Sequence, residues 1–398
     1  MKRVIVLALV IVVAAGATAA ALAKPSATGS ASAAQAVSCK STLTIPFVTP
    51  LTGGAGFIGT EQATWAKYAA KTLPSHYGLK IKLVFGDTPV EQGPAPALAL
   101  AQKYIADKSV VAILGPSTSG NAGASTKVYT QAGLVQLSPS ATHTELTIGT
   151  PAVPYIGSPG FFRNVPGDYI QGPTDARFMI NKLHVKKVVI IDFQEPYSVG
   201  LADIVESTLK KAGVSVTRLS APNTTTDYSA YVTKVPNDAD VVFFPTQKPP
   251  DIQTFGQQLL EQGKKAKLFG GDGSNDPAHF TIAGSYVSNF APDITSIPAD
   301  AAIVAGWQKD NPGKVVGSFG PPSYGAVQIL LEAIKKACIQ GHGSIQQRHD
   351  VIRNMKKVRI PNFILGGTFR FSTKTNDPLN AKFYIFQIQS NGKYKLVG

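Results

Sequence analysis

Short apolar runs alternate with longer amphipathic segments along most of the chain. Runs that are β-branched and apolar on both faces are typical of parallel strands, and the segments between them have helical periodicity. The expected strands are 43–48, 81–86, 110–115, 134–138, 187–193, 214–220, 241–246 and 267–273. The expected helices include 60–73, 97–107, 172–183 and 201–213. This β-α-β-α order predicts an α/β protein whose parallel sheets are covered by helices.

This alternation of strands and helices occurs twice along the chain, which predicts two doubly wound lobes joined by a multi-strand hinge. Two further helices, 299–309 and 323–340, and a β-rich tail with strands 366–371 and 382–389 follow the second pass. The expected organisation is a signal peptide (1–23), a flexible Ala/Ser-rich segment (24–38), lobe 1 (39–165), lobe 2 (166–291), lobe 1 continued (292–370) and C-terminal strands returning to lobe 2 (371–398). Ligands of open α/β sheets bind beyond the carboxyl ends of the strands, so the cleft between the lobes is the expected site.

The N-terminus predicts export. Lys2 and Arg3 precede an apolar run (4–23) that ends in small residues, as signal peptides do. A second cleavage point follows Ala36, and a membrane anchor is the alternative interpretation of the run. The expected location is therefore periplasmic or cell-surface associated. Lipid attachment at Cys39 is less favoured, because the polar stretch 24–38 separates it from the apolar run.

The chain has two cysteines, Cys39 and Cys338. An exported protein meets an oxidising environment, in which a pair of cysteines usually bonds. A disulfide that ties down the N-terminus and two unrelated thiols are both consistent with the sequence.

The formal net charge of +14 does not indicate a nucleic-acid-binding protein, since the basic residues are scattered and no basic stripe carries interleaved aromatics. A solvated surface and attraction to an anionic cell surface explain it better. Spaced metal ligands, a nucleophile elbow and a nucleophile–base pair are not evident in the sequence. The expectation is a non-enzyme without cofactor or metal.

A glycine-rich loop offers the main competing hypothesis. Residues 54–59 match G-x-G-x-x-G between a strand and a helix, and Asp87 ends the next strand, as in dinucleotide-binding enzymes. The glycines begin several residues after the strand, however, and Asp87 lies further on than is usual. The simpler interpretation is a loop that carries Phe57 over the cleft.

Polar residues follow several of the expected strands. The hydroxyls of 117–119 precede a helix, where they can cap it or, with its free N–H groups, bind a carboxylate. In the next turn, Thr142 and Glu145 have capping-box spacing, and His143 is expected at the surface or in the first turn. The remaining strand-end candidates are Ser140, Ala141, Tyr197, Gln247 and Asp272, the last in a Gly-Asp-Gly turn where it could receive an ammonium group.

Several stretches together resemble the type I periplasmic binding proteins of the branched-chain amino acid (Leu/Ile/Val) and amide transport systems. They are PLTGGAGFIG, LGPSTSG, LVQLSPSATHTELT, FFRNVPGDYIQGP, FGGDGSND and PPSYGAVQILLEAI, and they cover nearly the whole chain after the N-terminal segments. The resemblance implies the following site.

By this resemblance, Ser119 binds the ligand carboxylate, and Ser140, Ala141 and Thr142 add backbone and hydroxyl contacts. Tyr197 packs on the ligand, and Asp272 holds its ammonium group. The aromatic residue of the first glycine loop falls near Ile58, with Phe57 beside it. The aromatic residue that the family often has near Gln247 is absent here.

The function that the resemblance implies is that of a receptor for an ABC importer. It would bind a small amino acid, branched-chain or aliphatic, by lobe closure and pass it to a membrane permease, as a monomer. A ligand-sensing protein for amides or other small acids is the first alternative. An exported dinucleotide-dependent enzyme is the second.

Overall fold

The computed structural model describes residues 39–149 and 155–398. The expected signal peptide and the flexible segment 24–38 lie outside these residues. Among the helices of the described part, none combines the length and the apolar character that a membrane crossing requires.

The first lobe is built on a five-stranded parallel sheet. Its strands are β1 (Leu43–Thr49), β2 (Ile81–Asp87), β3 (Ala112–Leu114), β4 (Val135–Ser138) and β5 (Phe161–Arg163), in the order β2-β1-β3-β4-β5. Its helices are α1 (Gly56–Thr72), α2 (Pro74–Tyr77), α3 (Ala95–Ala106) and α4 (Ser119–Gln131). Strands β1, β3 and β4 are buried along their whole length, because helices cover both faces of the sheet.

The second lobe repeats this plan. Its helices are α5 (Asp168–Asn181), α6 (Pro196–Lys211), α7 (Ser229–Thr233) and α8 (Pro249–Glu261). Its first strands are β6 (Lys187–Asp192), β7 (Ser215–Ser220), β8 (Val241–Phe243), β9 (Lys267–Gly270) and β10 (Tyr286–Asn289), all parallel to their neighbours in this group. Two apolar clusters fill the two faces of this sheet.

The rest of the chain contributes to both lobes. The later elements are α9 (Ala301–Asp310), α10 (Gly320–Gln340), α11 (His349–Met355), β11 (Arg359–Ile360), β12 (Phe369–Arg370), β13 (Tyr384–Ile388) and β14 (Tyr394–Leu396). Helix α10 packs in the same apolar cluster as β1 and α1, where Trp65 stacks on Trp307 at 4.6 Å between ring centroids. Strands β13 and β14 extend the second sheet in antiparallel pairs, in the order β14-β13-β10-β9-β8-β6-β7.

This mixed α/β architecture confirms the predicted fold class. The antiparallel pairs at one edge of the second sheet qualify the expectation that both sheets would be wholly parallel. Strands β11 and β12 form a separate two-stranded sheet. The lobe boundaries expected at 165, 291 and 370 stay predictions.

A disulfide joins Cys39 to Cys338, with 5.6 Å between the Cα atoms. Cys39 directly precedes β1, and Cys338 lies near the end of α10. Both side chains are buried in the core of the first lobe. The bond therefore fixes the start of the first strand to the last long helix of the same lobe.

The two lobes approach each other closely along the cleft. The start of α4 faces α6: a Cβ atom added at Gly120 would lie 3.5 Å from Pro196. On the other side of this contact, a Cβ atom added at Gly200 would lie only 2.8 Å from the ring of His143. Glycine at position 200 leaves room for the His143 ring of the first lobe, whereas the contact at Gly120 is an ordinary one, and the two lobes touch at both places.

Candidate functional site

The turn between β3 and α4 brings three hydroxyl groups to the cleft side of the first lobe. Thr118 is the N-cap residue of α4, but its side chain makes no capping hydrogen bond and instead accepts one from Asn121. Ser117 donates to Oε1 of Gln62 at 2.7 Å, and Ser119 accepts from the backbone N–H of His143 at 3.2 Å. Of the two roles that the sequence left open, capping of α4 by the Thr118 side chain is not formed, and these hydroxyls bond to other side chains and to the next turn.

The turn after β4 holds the second predicted group. Ser140 donates to the carbonyl oxygen of Ser117 at 2.7 Å, and the Ser138 hydroxyl accepts from the N–H of Ala141 at 2.9 Å. Ser140, Ala141 and Thr142 are all buried. The hydroxyl of Thr142 is also buried and makes no hydrogen bond within the described part of the chain. These hydrogen bonds hold the turn in place, and the Thr142 hydroxyl lies close enough to the carboxyl of Asp168 to lower the pKa of that group.

The capping box expected at Thr142 and Glu145 does not form. The helix here is a single 3₁₀ turn (Thr144–Leu146) whose N-cap is His143. His143 is not a surface residue either: its side chain is 13% exposed, and Nδ1 lies 2.7 Å from Oε2 of Glu145. Burial lowers the pKa of His143, but the hydrogen bond to Glu145 and the nearby Asp168 carboxyl outweigh it and raise the pKa above its usual range.

A buried ion pair forms hydrogen bonds to the backbone of this turn. Nε of Arg163 donates to Asp377 at 2.6 Å, and both side chains are almost wholly buried. Nη1 of Arg163 donates to the carbonyl oxygens of Ala141 and His143. Arg163 and Asp377 are 214 positions apart in the chain, so the sequence carries no local signal of this pair.

The second lobe supplies the candidate acid. Asp272 begins a 3₁₀ turn directly after β9 and is 2% exposed. The hydroxyl of Tyr197 donates to Oδ1 of Asp272 at 2.9 Å and accepts from the N–H of Gly273 at 3.1 Å. Burial raises the pKa of Asp272 to about 7, and the nearby Asp168 carboxyl adds to the rise. Tyr197, which the sequence predicted as a strand-end candidate, is thus buried next to Asp272.

Asp168 is a site residue that the sequence analysis missed. It is the first residue of α5, is wholly buried, and neither of its carboxyl oxygens has a hydrogen-bond partner among the described residues. Its backbone N–H donates to the carbonyl oxygen of Thr142 at 2.8 Å. Burial raises the pKa of Asp168 to about 6. In the sequence, the signal of Asp168 was its position in the stretch FFRNVPGDYIQGP, at the start of a helix. An acidic residue at that position also interacts favourably with the helix dipole, so it has a structural explanation as well.

Asp168 connects the predicted residues of the two lobes. It adjoins Thr142 through the backbone, and its charge contributes to the raised pKa values of Asp272 and Tyr197. Asp168 therefore lies close both to the hydroxyl-bearing turn of the first lobe and to Asp272 and Tyr197 of the second.

Two predicted residues lie at the margins of this group. Phe57 packs edge-on against Phe319, at 5.5 Å between centroids, and lines a cavity of about 920 Å³ together with Glu61 and Asp276. Gln247 is buried and its side chain packs against Gly273. Its neighbour Lys248 is buried, with its ammonium group paired with Asp251 and lying over the ring of Phe193, so a paired charge lies next to Gln247.

Carboxyl groups of the two lobes also oppose each other around the site. Burial raises the pKa of Glu61 in α1 to about 8, and Asp276 of the second lobe raises it further. Glu91 of the first lobe likewise adds to the raised pKa of Asp251. When the lobes approach, these carboxyl groups come close together and repel each other if both are ionised. Ionisation at high pH therefore favours separation of the lobes, and a cationic group between them would relieve the repulsion.

The glycine-rich loop does not fit a dinucleotide. Its backbone N–H groups are the donors that a pyrophosphate would use. Here those of Leu51 and Thr52 donate to Asp87, and that of Gly54 donates to Glu91. Two carboxylates at these donors would repel a phosphate, so the arrangement favours a structural loop.

The sequence and the fold both match known proteins. A model of the family described as periplasmic binding protein matches residues 42–393. An amino acid binding protein of Pseudomonas aeruginosa is 30% identical over 304 residues, which cover 72% of this chain and 77% of that protein. Leu/Ile/Val-binding protein homolog 1 of Brucella abortus is 28% identical over 298 residues, which cover 72% of this chain and 76% of that protein.

Among solved structures, the branched-chain amino acid transporter substrate binding protein LivJ of Streptococcus pneumoniae, in complex with isoleucine, has a TM-score of 0.76 to this chain. The two are 22% identical, and the match covers 90% of this chain and 99% of that one. The family match extends over most of the chain and the fold agrees with it, so the chain belongs to the periplasmic binding protein family.

Proposed function

We propose that this protein is the solute receptor of an ABC importer and binds an amino acid between its closed lobes. The relatives with which it aligns are named as binding proteins rather than enzymes. The observation that carries the proposal is the division of chemistry across the cleft. One lobe presents the hydroxyls of Ser119 and Thr142 beside the N-terminus of α4, and the other presents Asp168 and Asp272. These groups are complementary to a carboxylate and an ammonium group respectively.

An amino acid zwitterion links binding to closure, because neither lobe alone can satisfy both of its charges. We assign the carboxylate to Ser119, Ser140, Ala141 and Thr142, and the ammonium group to Asp272 with Asp168. A branched-chain or aliphatic side chain is proposed from the relatives' names. The protein would be exported, would act as a monomer, and would deliver its ligand to a membrane permease without any cofactor.

Thermal melting against a panel of small molecules tests this function. The chain from Val37 to Gly398 forms one compact unit, so a preparation that begins there is suitable. A ligand that binds only the native state raises the melting temperature. A rise with leucine, isoleucine or valine supports the proposal. A rise only with amides or other small acids supports the first alternative, and a rise with NAD alone overturns the receptor function.

The affinity for amino acids should depend on pH. Burial raises the pKa of Asp272 to about 7 and that of Asp168 to about 6, and only the ionised carboxyl pairs with an ammonium group. Both groups are ionised above pH 8 and become protonated as the pH falls through these values. We expect affinity to fall by about tenfold for each pH unit below 7 and more steeply below 6, where Asp168 is protonated as well, with release of protons on binding near pH 6.5. Calorimetry from pH 5 to 8 in two buffers measures both effects, and a constant Kd would contradict the assignment.

Closure itself can be tested at two matched glycines. In Gly200→Ala the new Cβ atom would lie 2.8 Å from the His143 ring of the other lobe, so we expect affinity to fall by about tenfold. The ligand-free melting temperature should not fall, since alanine favours the helix. In the control Gly120→Ala the new Cβ atom would be 3.5 Å from Pro196, an ordinary contact, and affinity should stay within about twofold of wild type. Equal Kd values for the two variants would argue against the closed arrangement.

A further inference from the structure

Helix α5 carries a polar stripe on the face that it buries. Asp168, Gln171 and Asp175 are spaced i, i+3 and i+7, which places them on one side of the helix, and all three are wholly buried. A helix that packs against a sheet normally presents apolar residues at these positions. A buried polar stripe is costly unless its members have partners. The hydrogen-bond partners of these three residues therefore indicate what the stripe does.

The stripe continues from the cleft into the second lobe as a chain of hydrogen bonds. Nε2 of Gln171 donates to the hydroxyl of Ser288 in β10 at 2.9 Å. The same hydroxyl donates to Oδ2 of Asp175 at 3.1 Å. Because a serine hydroxyl has a single proton, a Ser288 that donates to Asp175 can only accept from Gln171.

The orientation of the Gln171 amide follows from these bonds. Its nitrogen faces Ser288 and also lies near Gly271, since a Cβ atom added there would be 3.3 Å from Nε2. The turn that begins at Asp272 follows Gly271 directly, and the Gln171 amide lies close enough to the carboxyl of Asp272 to lower its pKa against the effect of burial. With the amide of Gln171 reversed, its oxygen would face the carboxylate of Asp272 and the hydroxyl oxygen of Ser288. Both of these are acceptors in this arrangement, so the amide oxygen would form no hydrogen bond with either.

Asp175 has no evident structural reason to be a carboxyl. Its Oδ1 is buried without a hydrogen-bond partner among the described residues, and burial raises the pKa of Asp175 well above its usual range, with the Asp272 and Asp168 carboxyls adding to the rise. Arg163, the buried arginine of the cleft region, is paired with Asp377 and does not compensate it. A small apolar side chain would avoid this cost. Asp175 does supply an acceptor for the Ser288 hydroxyl, and because that hydroxyl donates to Asp175 it is left only to accept from Gln171.

We propose that Asp175 is a positioning residue of the ammonium site, which acts through Ser288 to fix the Gln171 amide so that it donates to the carboxylate of Asp272. The inference rests on the proposed function, in which Asp272 receives the ammonium group of an amino acid. It predicts that a residue without contact to the ligand controls the preference of the site for amines.

The test compares two probes that differ only at the ammonium group: L-leucine and 2-hydroxy-4-methylpentanoate. In Asp175→Ala the acceptor is lost, so we expect the affinity for leucine to fall by about tenfold while that for the hydroxy acid changes by less than about twofold. Asp175→Asn keeps an acceptor for Ser288 and should restore most of the affinity for leucine. Melting temperatures of the ligand-free variants show whether each is folded.

A double-mutant cycle identifies the route of the effect. Gln171→Met removes the amide on which Asp175 acts, so adding Asp175→Ala to it should cause no further loss of leucine affinity. Additive losses, or equal losses for both probes in Asp175→Ala, would overturn the proposal and leave Asp175 with a role in packing alone. If the wild-type protein binds neither leucine nor any other amino acid, the proposed function itself fails, and this inference fails with it.

Discussion

Replacement of Asp272 by alanine is expected to weaken amino acid binding by ~30-fold or more. The substitution would leave the ligand's ammonium group buried beside Tyr197 without its main charged partner, at a cost of about 2–5 kcal/mol. The fold should survive, because the carboxyl of Asp272 is itself buried at an electrostatic cost: burial raises its pKa to about 7. Calorimetry with the best ligand of the panel measures the loss.

Glu261→Ala is the matched control for this substitution. It removes a carboxyl of the same lobe, but one that is exposed at the C-terminal end of α8, the end of the helix opposite Gln247 and Lys248. Its Kd should equal that of the wild type, because an exposed charge contributes little at a distance in salt. If Asp272→Ala bound the ligand within about twofold of the wild type, Asp272 would not be the ammonium partner.

Loss of the disulfide is expected to lower the free energy of unfolding by about 2–5 kcal/mol. The Cys39–Cys338 bond closes a loop of 299 residues, and a long loop removes much entropy from the unfolded chain. Cys39→Ala, Cys338→Ala and the double variant should lose the same amount, since either change breaks the bond. Denaturant unfolding of the oxidised and reduced wild type checks the effect independently.

Ligand affinity provides the control for this second experiment, because the bond lies in the core of the first lobe and not at the cleft. Affinity should be unchanged wherever the variants are folded. Identical unfolding midpoints for oxidised and reduced protein would mean that the bond does not stabilise the native state.

The sheets were predictable because parallel strands that are buried on both faces must be apolar throughout. Each of the eight expected runs contains an observed strand, from β1 to β4 and from β6 to β9. The strands that were missed lack this signal. Strand β5 has three residues in a Pro/Gly-rich stretch, and β10 (Tyr286–Asn289) is half polar, since Ser288 and Asn289 form hydrogen bonds to side chains beyond the sheet.

Helix starts were harder to predict than helix interiors. The sequence placed the start of α5 at Gly172, where Gly and Pro usually mark a boundary, but the helix begins one turn earlier at Asp168. That turn contains Asp168 and Gln171, the residues that give the site much of its polarity. The error in the boundary therefore hid both of them.

The individual strand-end residues could be found because the fold dictates where strands end. Their partners could not, because they depend on contacts between segments that are remote in the chain. The pairing of Arg163 with Asp377, and that of Tyr197 with Asp272 across 75 positions, follows from the packing of whole lobes. For the same reason, His143 was placed at the surface although its ring meets α6 of the opposite lobe.

The return of α10 to the first lobe has a consequence for how the chain reaches its native state. Residues 320–340 complete the core that β1 and α1 begin, so a nascent chain that ends before them exposes the apolar faces of Trp65 and its neighbours. The second lobe has most of its sequence in one stretch and can form first, whereas the N-terminal lobe must wait for almost the whole polypeptide. An incomplete chain would thus remain open to chaperones and translocation machinery, and the covalent link to Cys338 can be made only after synthesis is nearly finished.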